Sequence, residues 1–182
     1  MLQPTSFQFG SDSITVAKLQ FKASTEVRTL TEAFGRYSAL IFTHQTNPST
    51  SGAVDTVSVN VVSSSEEYPQ FDTDESYSLK VPDSSGAGEG IEISAATVYG
   101  ALRGLESLSQ LIVYDFEEDR YVISGAPIFI SDTPRYKHRG MLVDTSRHFQ
   151  PMHQLKRTVD ALSYAKYNVL HWHVVDTQVQ RV

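Results

Sequence analysis

The side chains that could do chemistry are concentrated in the last quarter of the chain. Asp144 ends one apolar run and is followed by Arg147, and Asp176 ends a second apolar run that contains His171 and His173. A carboxylate beside a guanidinium can bind hydroxyl groups, a carboxylate or a phosphate through directed hydrogen bonds. Two histidines separated by one residue point to the same side of a strand, where they could share a metal ion. The sequence therefore offers a polar ligand site and a metal site as hypotheses.

Each hypothesis has a simpler structural alternative. Arg147 can instead form a salt bridge with Asp144 or Asp176 that ties two strand ends together, and its position alone favours neither role. Asp176 can accept a hydrogen bond from a ligand or cap the segment that follows it. Strict alternation along the strand places Asp176 on the face opposite His171 and His173, so spacing supplies no third ligand and we expect no metal.

Composition and spacing remove other classes of site. The chain has 182 residues, 40% of them hydrophobic and none of them Cys, which indicates a globular protein and excludes a thiol nucleophile and a disulfide framework. A nucleophilic triad of Asp144, Ser146 and His148 is not expected. Three residues within five positions cannot easily place the base between the other two.

Charge divides the chain into two parts. Residues 1–133 hold 7 basic and 18 acidic side chains, whereas residues 134–182 hold 8 basic and 3 acidic ones, together with five of the six histidines. A change of this size indicates a domain boundary between residues 133 and 134. The basic residues of the second part are separated by apolar residues, so we expect no nucleic-acid partner. No secretory signal peptide and no membrane-spanning segment are visible.

The second part has the pattern of a strand, a helix and a strand. Residues 139–144 and 168–176 are near-continuous apolar runs, as in strands that are buried on both faces. Residues 150–167 have helical spacing, with Pro151 at the first helical position. This order predicts a parallel strand pair. Since ligands bind at the carboxyl ends of parallel strands, we expect both terminal aspartates and Arg147 at one mouth.

The first part alternates short strands with two amphipathic helices. Ser24 or Thr25 is expected to cap the first helix, and Gly100 and Gly104 let the second approach a neighbour closely. The acidic run 116–120 is predicted to be a solvated turn. Helical spacing covers residues 24–42 and 97–114, and strand-like patterns cover residues 14–21, 57–61, 77–81, 90–94, 121–123 and 128–130. These patterns predict an α+β domain, an antiparallel or mixed sheet with two helices on one face.

Two motifs resemble a known family. Residues 136–149 together with 168–176 resemble the opening of the catalytic barrel of eukaryotic β-N-acetylhexosaminidases of glycoside hydrolase family 20. Residues 100–111 resemble the signature helix of that family's non-catalytic N-terminal domain, and residues 29–37 are similar to its entry. The motifs occur in the family's order. The resemblance implies an N-terminal α+β domain over residues 1–133, followed over residues 134–182 by the truncated start of a (β/α)8 TIM barrel.

The resemblance also implies a function and roles for the candidate residues. It implies a hydrolase, a retaining exo-glycosidase that removes terminal β-linked N-acetylglucosamine or N-acetylgalactosamine from glycans, glycolipids or chito-oligosaccharides without a cofactor. In that family the substrate's own 2-acetamido oxygen attacks the anomeric carbon. Arg147 corresponds to the arginine that binds the terminal sugar's hydroxyls, and Asp176 to an aspartate that orders the sugar site. Asp144, His171 and His173 would support this site.

The resemblance also implies a cellular location and an oligomeric state. The resemblance implies a lysosomal, vacuolar or secreted protein and a homo- or heterodimer in the complete parent.

The chain departs from the family at the catalytic Asp-Glu pair, which lies on a later barrel strand. The acid pairs present, at residues 66–67, 74–75 and 117–119, all belong to the first part, and residues 177–182 differ from the family's continuation. We therefore expect a truncated or alternatively spliced product, or an incomplete gene model, that has no glycosidase activity by itself. The alternative is a non-catalytic interaction module that associates with full-length subunits.

Overall fold

The protein is divided into two compact units. A computed structural model describes residues 4–44, 52–85 and 89–177. The first unit extends to Pro134 and the second begins at Arg135. None of the described helices is long and apolar enough to cross a membrane. The predicted departure from the family's continuation falls almost wholly on residues 178–182, which lie outside the described residues.

The first unit contains a six-stranded mixed sheet and two helices. Its sheet has the order β1-β2-β4-β3-β6-β5, in which β1 also pairs with β6. The β1–β2 and β2–β4 pairs are parallel and the remaining pairs, among them β3–β4, are antiparallel. The elements are β1 (Ser6–Ala23), α1 (Arg28–Ile41), β2 (Val54–Val61), β3 (Tyr77–Val81), β4 (Ile91–Ala95), α2 (Val98–Leu111), β5 (Val113–Asp115) and β6 (Arg120–Asp132). The predicted α+β architecture is confirmed.

One hydrophobic core joins the sheet to both helices. Strand residues at every second position are buried, such as Val57 and Val59 of β2, and they form one cluster with Leu30 of α1 and Leu105 of α2. Each such side chain stabilises the fold by about 1.5–3 kcal/mol when it is fully buried. The alternation of apolar and polar residues therefore selects the face of the sheet that the helices cover.

The start of α1 differs from the prediction. Neither Ser24 nor Thr25 caps the helix, because the N-cap position is occupied by Val27, whose side chain makes no capping bond. Instead, Oε1 of Glu66 accepts hydrogen bonds from the backbone N–H of Thr29 at 2.7 Å and from its hydroxyl at 2.5 Å. The carboxylate supplies the acceptor that the first turn of a helix requires. These two bonds hold the pKa of Glu66 below its ordinary value.

The two strands predicted over residues 121–123 and 128–130 are one continuous strand, β6, and that prediction is wrong. Gly125 adopts a positive φ of 85°, and the pairing of β6 with β1 shifts its register at the same place. A local irregularity of this kind bends a strand without ending it. The acidic run that precedes β6 forms the predicted turn between β5 and β6.

The second unit contains two parallel strands and one helix. They are β7 (Gly140–Asp144), α3 (Met152–Tyr164) and β8 (Val169–His173). The strands are parallel, with Gly140 opposite Val169 and Asp144 opposite His173. The predicted strand–helix–strand order and parallel pairing are confirmed. Pro151 lies one position before α3 and occupies its N-cap.

The expectation that both strands are buried on both faces is wrong for the described residues. Leu142 is 55% exposed and Trp172 is 45% exposed, and α3 has no buried residue. Register and alternation put Asp144, His171 and His173 on one face of the pair, and Val143 and Trp172 on the other. The second face and α3 line an apolar groove of about 390 Å³. A continuous apolar run indicates which faces can be buried, but neighbouring elements must cover them.

The helix glycines of the first unit give a matched test of its packing. A Cβ at Gly100 would overlap the carbonyl oxygen of Ser76, whereas one at Gly35 of α1 would meet nothing within 4 Å. The close approach expected at Gly100 is therefore confirmed.

Gly100→Ala should lower the free energy of unfolding by about 1–3 kcal/mol through overpacking. Gly35→Ala should raise it by about 0.4–1 kcal/mol through the unfolded state. Urea unfolding followed by far-UV circular dichroism measures both, and equal shifts would contradict the packing of α2.

Candidate functional site

The candidate site lies at the carboxyl ends of β7 and β8. Asp144 is the last residue of β7 and is paired with His173, the last residue of β8. Asp176 follows three residues later, and its Oδ2 lies 3.8 Å from Nε2 of His173. The structure thus brings both predicted aspartates to the same end of the strand pair. Arg147 extends from the turn that leaves β7.

Asp144 organises this turn through its side chain. Its Oδ1 accepts hydrogen bonds from the backbone N–H groups of Ser146 and Arg147, both at 3.0 Å. Its Oδ2 forms a short ion pair with Nε of Arg147. The backbone bond from Arg147 is the largest of the interactions that hold the pKa of Asp144 below its ordinary value of 3.8, and the guanidinium of Arg147 adds to it. Asp144 is therefore an ionised anchor for the turn.

Arg147 forms the salt bridge that its position allowed, and it can still bind a ligand. Its Nε is bound to Asp144, so the salt bridge exists. The side chain is nevertheless 66% exposed, and its two terminal nitrogens have no hydrogen-bond partner among the described residues. A guanidinium held by one edge presents a fixed fork of donors on its other edges. Arg147 can therefore bind a polar ligand without breaking its ion pair.

Thr145 and Trp172 contribute contacts at this site that sequence reasoning missed. The backbone N–H of Thr145 donates to the carbonyl oxygen of His173 at 3.0 Å, which extends the strand pairing by one residue. The indole N–H of Trp172 donates to Oγ1 of Thr145 at 2.9 Å. These partners lie 27 residues apart, and no local pattern in the sequence indicates a contact at that separation.

His171 and His173 lie on the same face of β8, as predicted. The described residues contain no group of three His, Asp or Glu side chains that could hold a metal ion. The alternation argument about Asp176 is wrong, because β8 ends at His173 and the chain beyond it brings Asp176 back toward that histidine. Nε2 of His173 is buried and has no hydrogen-bond partner in the described part of the chain. Its distance to Asp176 is too long for a hydrogen bond.

The opposite ends of the strands are held by a separate set of contacts. The Asn168 side chain accepts a hydrogen bond from the backbone N–H of Arg139 at 2.9 Å and donates one to the carbonyl oxygen of Lys137 at 2.7 Å. Nε of Arg139 donates to the carbonyl oxygen of Lys166 at 2.8 Å. These bonds fix the register of β7 and β8 where the strands begin. The bond from Thr145 to His173 fixes the same register where they end, next to the candidate site.

Glu75 and Glu106 are buried acidic residues of the first unit, and both take part in its architecture. Glu75 accepts a bond from Arg103 at 2.7 Å with both side chains largely buried. The buried Glu106 accepts bonds from Tyr37 at 3.0 Å and from Gln110 at 2.7 Å. Burial, reinforced by Glu106, raises the pKa of Tyr37 far above its usual range. The two buried carboxylates therefore each have hydrogen-bond donors, as buried polar groups generally do.

The ionisation of Asp144 can be measured directly. Its carboxyl should titrate below 3.8 in the folded chain, the ordinary value from which its pKa is lowered. A lowered pKa means that Asp144 stabilises the fold above that ordinary value, and that the contribution is lost as the pH falls through the lowered pKa. Arg147→Gln keeps the backbone bond and loses the ion pair, so the midpoint should rise only part of the way. Carboxyl ¹³C NMR measures both midpoints. A wild-type midpoint at or above 3.8 would contradict the turn described above.

Comparison with known proteins gives matches along both units. Residues 3–111 match the family described as "beta-acetyl hexosaminidase like", and residues 136–182 match "Glycosyl hydrolase family 20, catalytic domain". Beta-hexosaminidase subunit B2 of Dictyostelium discoideum is 44% identical over 154 residues, which are 85% of this chain and 27% of that protein. Beta-hexosaminidase 1 of Arabidopsis thaliana is 38% identical over 193 residues, 96% of this chain and 35% of that protein.

Solved structures agree with these matches. A chitobiase from Flavobacterium johnsoniae superposes with a TM-score of 0.75 at 29% identity, covering 98% of this chain and 27% of that one. A family 20 β-N-acetylhexosaminidase from Streptomyces coelicolor gives a TM-score of 0.70 at 26% identity, covering 98% of this chain and 35% of that one. The chain thus spans about a third of the length of such proteins or less. It belongs to the β-hexosaminidases of glycosyl hydrolase family 20, and its two units are the N-terminal domain and the start of the catalytic barrel.

Proposed function

We propose that the complete protein to which these residues belong is a β-N-acetylhexosaminidase. It would hydrolyse terminal non-reducing N-acetylglucosamine or N-acetylgalactosamine from glycans or chito-oligosaccharides. The observation that carries the proposal is the parallel pairing of β7 and β8, which sets Asp144, Arg147 and Asp176 at one end of the strands in a chain of this family. Ligands of α/β barrels bind at that end.

The proposed roles follow from the chemistry of each side chain. The free edges of the Arg147 guanidinium would donate hydrogen bonds to hydroxyls of the terminal sugar. Asp176 would accept a hydrogen bond from the same sugar and order it. Asp144 supports the site by holding Arg147, and His171 and His173 support it from the face of β8 that Asp144 shares. No metal or cofactor is part of this proposal.

The proposed reaction is substrate-assisted and retaining. The 2-acetamido oxygen of the substrate would attack the anomeric carbon as the glycosidic bond breaks, while a glutamic acid protonates the leaving oxygen. Water, activated by the same glutamate, would then open the oxazolinium ring. The Asp-Glu pair for these steps belongs to a later barrel strand, and a closed barrel needs eight strands and about 250 residues. The residues that the structure describes contain two of those strands.

Domain limits, assembly and location are proposed on the same grounds. We assign residues 1–133 to the non-catalytic domain and residues 134–182 to the barrel. Several relatives are named as subunits, such as beta-hexosaminidase subunit beta of Mus musculus. A homo- or heterodimer is therefore proposed for the complete protein, in a lysosomal, vacuolar or secreted location.

A non-catalytic role is the alternative for the 182-residue chain itself. Leu142 and Trp172 expose apolar surface on opposite faces of the strand pair, which favours association with another protein. The chain would then bind complete subunits and modulate them. Co-purification of the 182-residue chain with active enzyme distinguishes this role, since a chain that remains alone has no such function.

The proposed activity is tested on the complete gene product. Antibodies raised against the 182-residue chain should deplete N-acetylhexosaminidase activity from an extract of the source, measured with 4-nitrophenyl N-acetyl-β-glucosaminide. The recombinant 182-residue chain should itself show no turnover. In the complete product, Arg147→Gln should reduce kcat/KM about 10- to 150-fold, the effect of losing hydrogen bonds to a charged group.

Arg157→Gln is the matched control for this experiment, because Arg157 is an exposed cation on α3 and the same charge is removed. Its kcat/KM should equal that of the wild type. Undiminished activity in the depleted extract would refute the proposed function. Equal kcat/KM values for the two variants would refute the proposed role of Arg147.

A further inference from the structure

Thr145 occupies a position from which it can control Arg147. In the chain it lies between Asp144, which anchors the turn, and Arg147, which carries the guanidinium. Its backbone N–H donates to the carbonyl oxygen of His173 at 3.0 Å, and its Oγ1 accepts the indole N–H of Trp172 at 2.9 Å. We refer to these two hydrogen bonds as the Thr145 latch. The latch joins the turn after β7 to β8.

The latch and the Asp144 contacts hold the turn in different ways. Asp144 binds Ser146 and Arg147 within the turn, so it fixes the local shape of residues 144–147. Among the described residues, the hydrogen bonds and the ion pair of the Asp144 side chain stay within the turn, and the shape alone does not determine where the turn lies relative to β8. Thr145 supplies this second constraint, because both of its partners belong to β8.

Trp172 makes the side-chain half of the latch directional. Register places the indole on the face of β8 opposite His173, beside the apolar groove that Val143 and Leu155 line. An indole ring has a single hydrogen-bond donor, its N–H, and in Trp172 this group bonds to the Thr145 hydroxyl although the residue is 45% exposed. The position of the turn is therefore coupled to the Trp172 ring, on the face of the strand pair that lines the apolar groove.

We propose that Thr145 is a positioning residue for Arg147, because it fixes the turn that carries the guanidinium relative to β8, the strand that leads to Asp176. The proposal rests on the proposed function, since it concerns how the same site binds its substrate. Thr145 itself touches no reacting atom. Loss of its hydroxyl would leave Arg147 paired with Asp144 and the backbone of Thr145 bonded to His173, but the turn would lose its side-chain contact with β8 and could move further relative to that strand.

The test compares Thr145→Val with Thr145→Ser in the complete gene product. Valine keeps the shape of threonine and removes the acceptor, whereas serine retains it. Thr145→Val should raise KM for the chromogenic substrate about two- to tenfold with little change in kcat, because it removes the bond from Trp172 and the longer bond from the Thr145 hydroxyl to the carbonyl oxygen of His173. Thr145→Ser should restore KM. A purely structural role predicts a lower melting temperature in Thr145→Val with an unchanged KM, and that result would overturn the proposal.

Trp172→Phe tests the same hydrogen bond by removing its donor. It keeps an aromatic ring and removes the N–H, so it should raise KM by a similar factor. The double variant should have the KM of Thr145→Val, because that substitution already removes the bond to Trp172 together with the longer bond of 3.5 Å from the Thr145 hydroxyl to the carbonyl oxygen of His173. Additive effects would overturn the latch. If Thr145→Val fails to fold, Trp172→Phe provides the same kinetic comparison.

The isolated 182-residue chain offers a readout that is independent of catalysis. Trp172 is its only tryptophan, so its fluorescence reports the latch directly. Thr145→Val should increase quenching by iodide relative to the wild type and Thr145→Ser, and unchanged quenching would overturn the bond. A wild-type complete product without hydrolytic activity refutes the proposed function. An active wild type whose KM does not respond to Thr145→Val refutes only the positioning role.

Discussion

The parallel register that sets Asp144 opposite His173 is the constraint on which the candidate site depends. A slip by one residue would turn every side chain of β7 to the other face relative to β8, and Asp144 would then share a face with Trp172. The register is fixed at the beginning of the strands by Asn168, which bonds to Arg139 and Lys137, and at their ends by the backbone of Thr145. Three polar contacts, two at the beginning of the strands and one at their ends, therefore fix a register that apolar packing would fix in the first unit.

The two units are stabilised by different physics. The first unit buries apolar side chains from its sheet and both helices in one cluster, and its buried carboxylates are matched by donors such as Arg103 and Tyr37. In the described part of the second unit no apolar side chain is buried. Two parallel strands with open edges have little intrinsic stability. Hydrogen bonds at the strand ends consequently carry a larger share of the order in the second unit, which is where the candidate site lies.

The sequence predicted features that depend on local periodicity and missed those that depend on distant contacts. The bounds of β3 and the parallel pairing of β7 with β8 followed from patterns of period two and from the strand–helix–strand order. The start of α1 did not, because its capping group is Glu66, 37 residues away. The apolar run of β7 indicated burial that the described residues do not provide. Asp144 and Arg147 could be predicted as neighbours from their spacing, whereas the bond between Trp172 and Thr145 could not, since it joins two strands.

The ion pair between Asp144 and Arg147 makes the structural role of the arginine compatible with its proposed binding role. A free arginine side chain loses up to about 2 kcal/mol of rotamer entropy when it is fixed on a ligand. Here Nε already bonds to Asp144, so part of that loss is incurred on folding rather than on binding, which is the general advantage of preorganisation. Because the lowered pKa of Asp144 keeps its carboxylate charged, this arrangement persists in mildly acidic solution. A salt bridge that uses one edge of the guanidinium thus prepares the other edges for a ligand, and the structural role becomes a condition of the binding role.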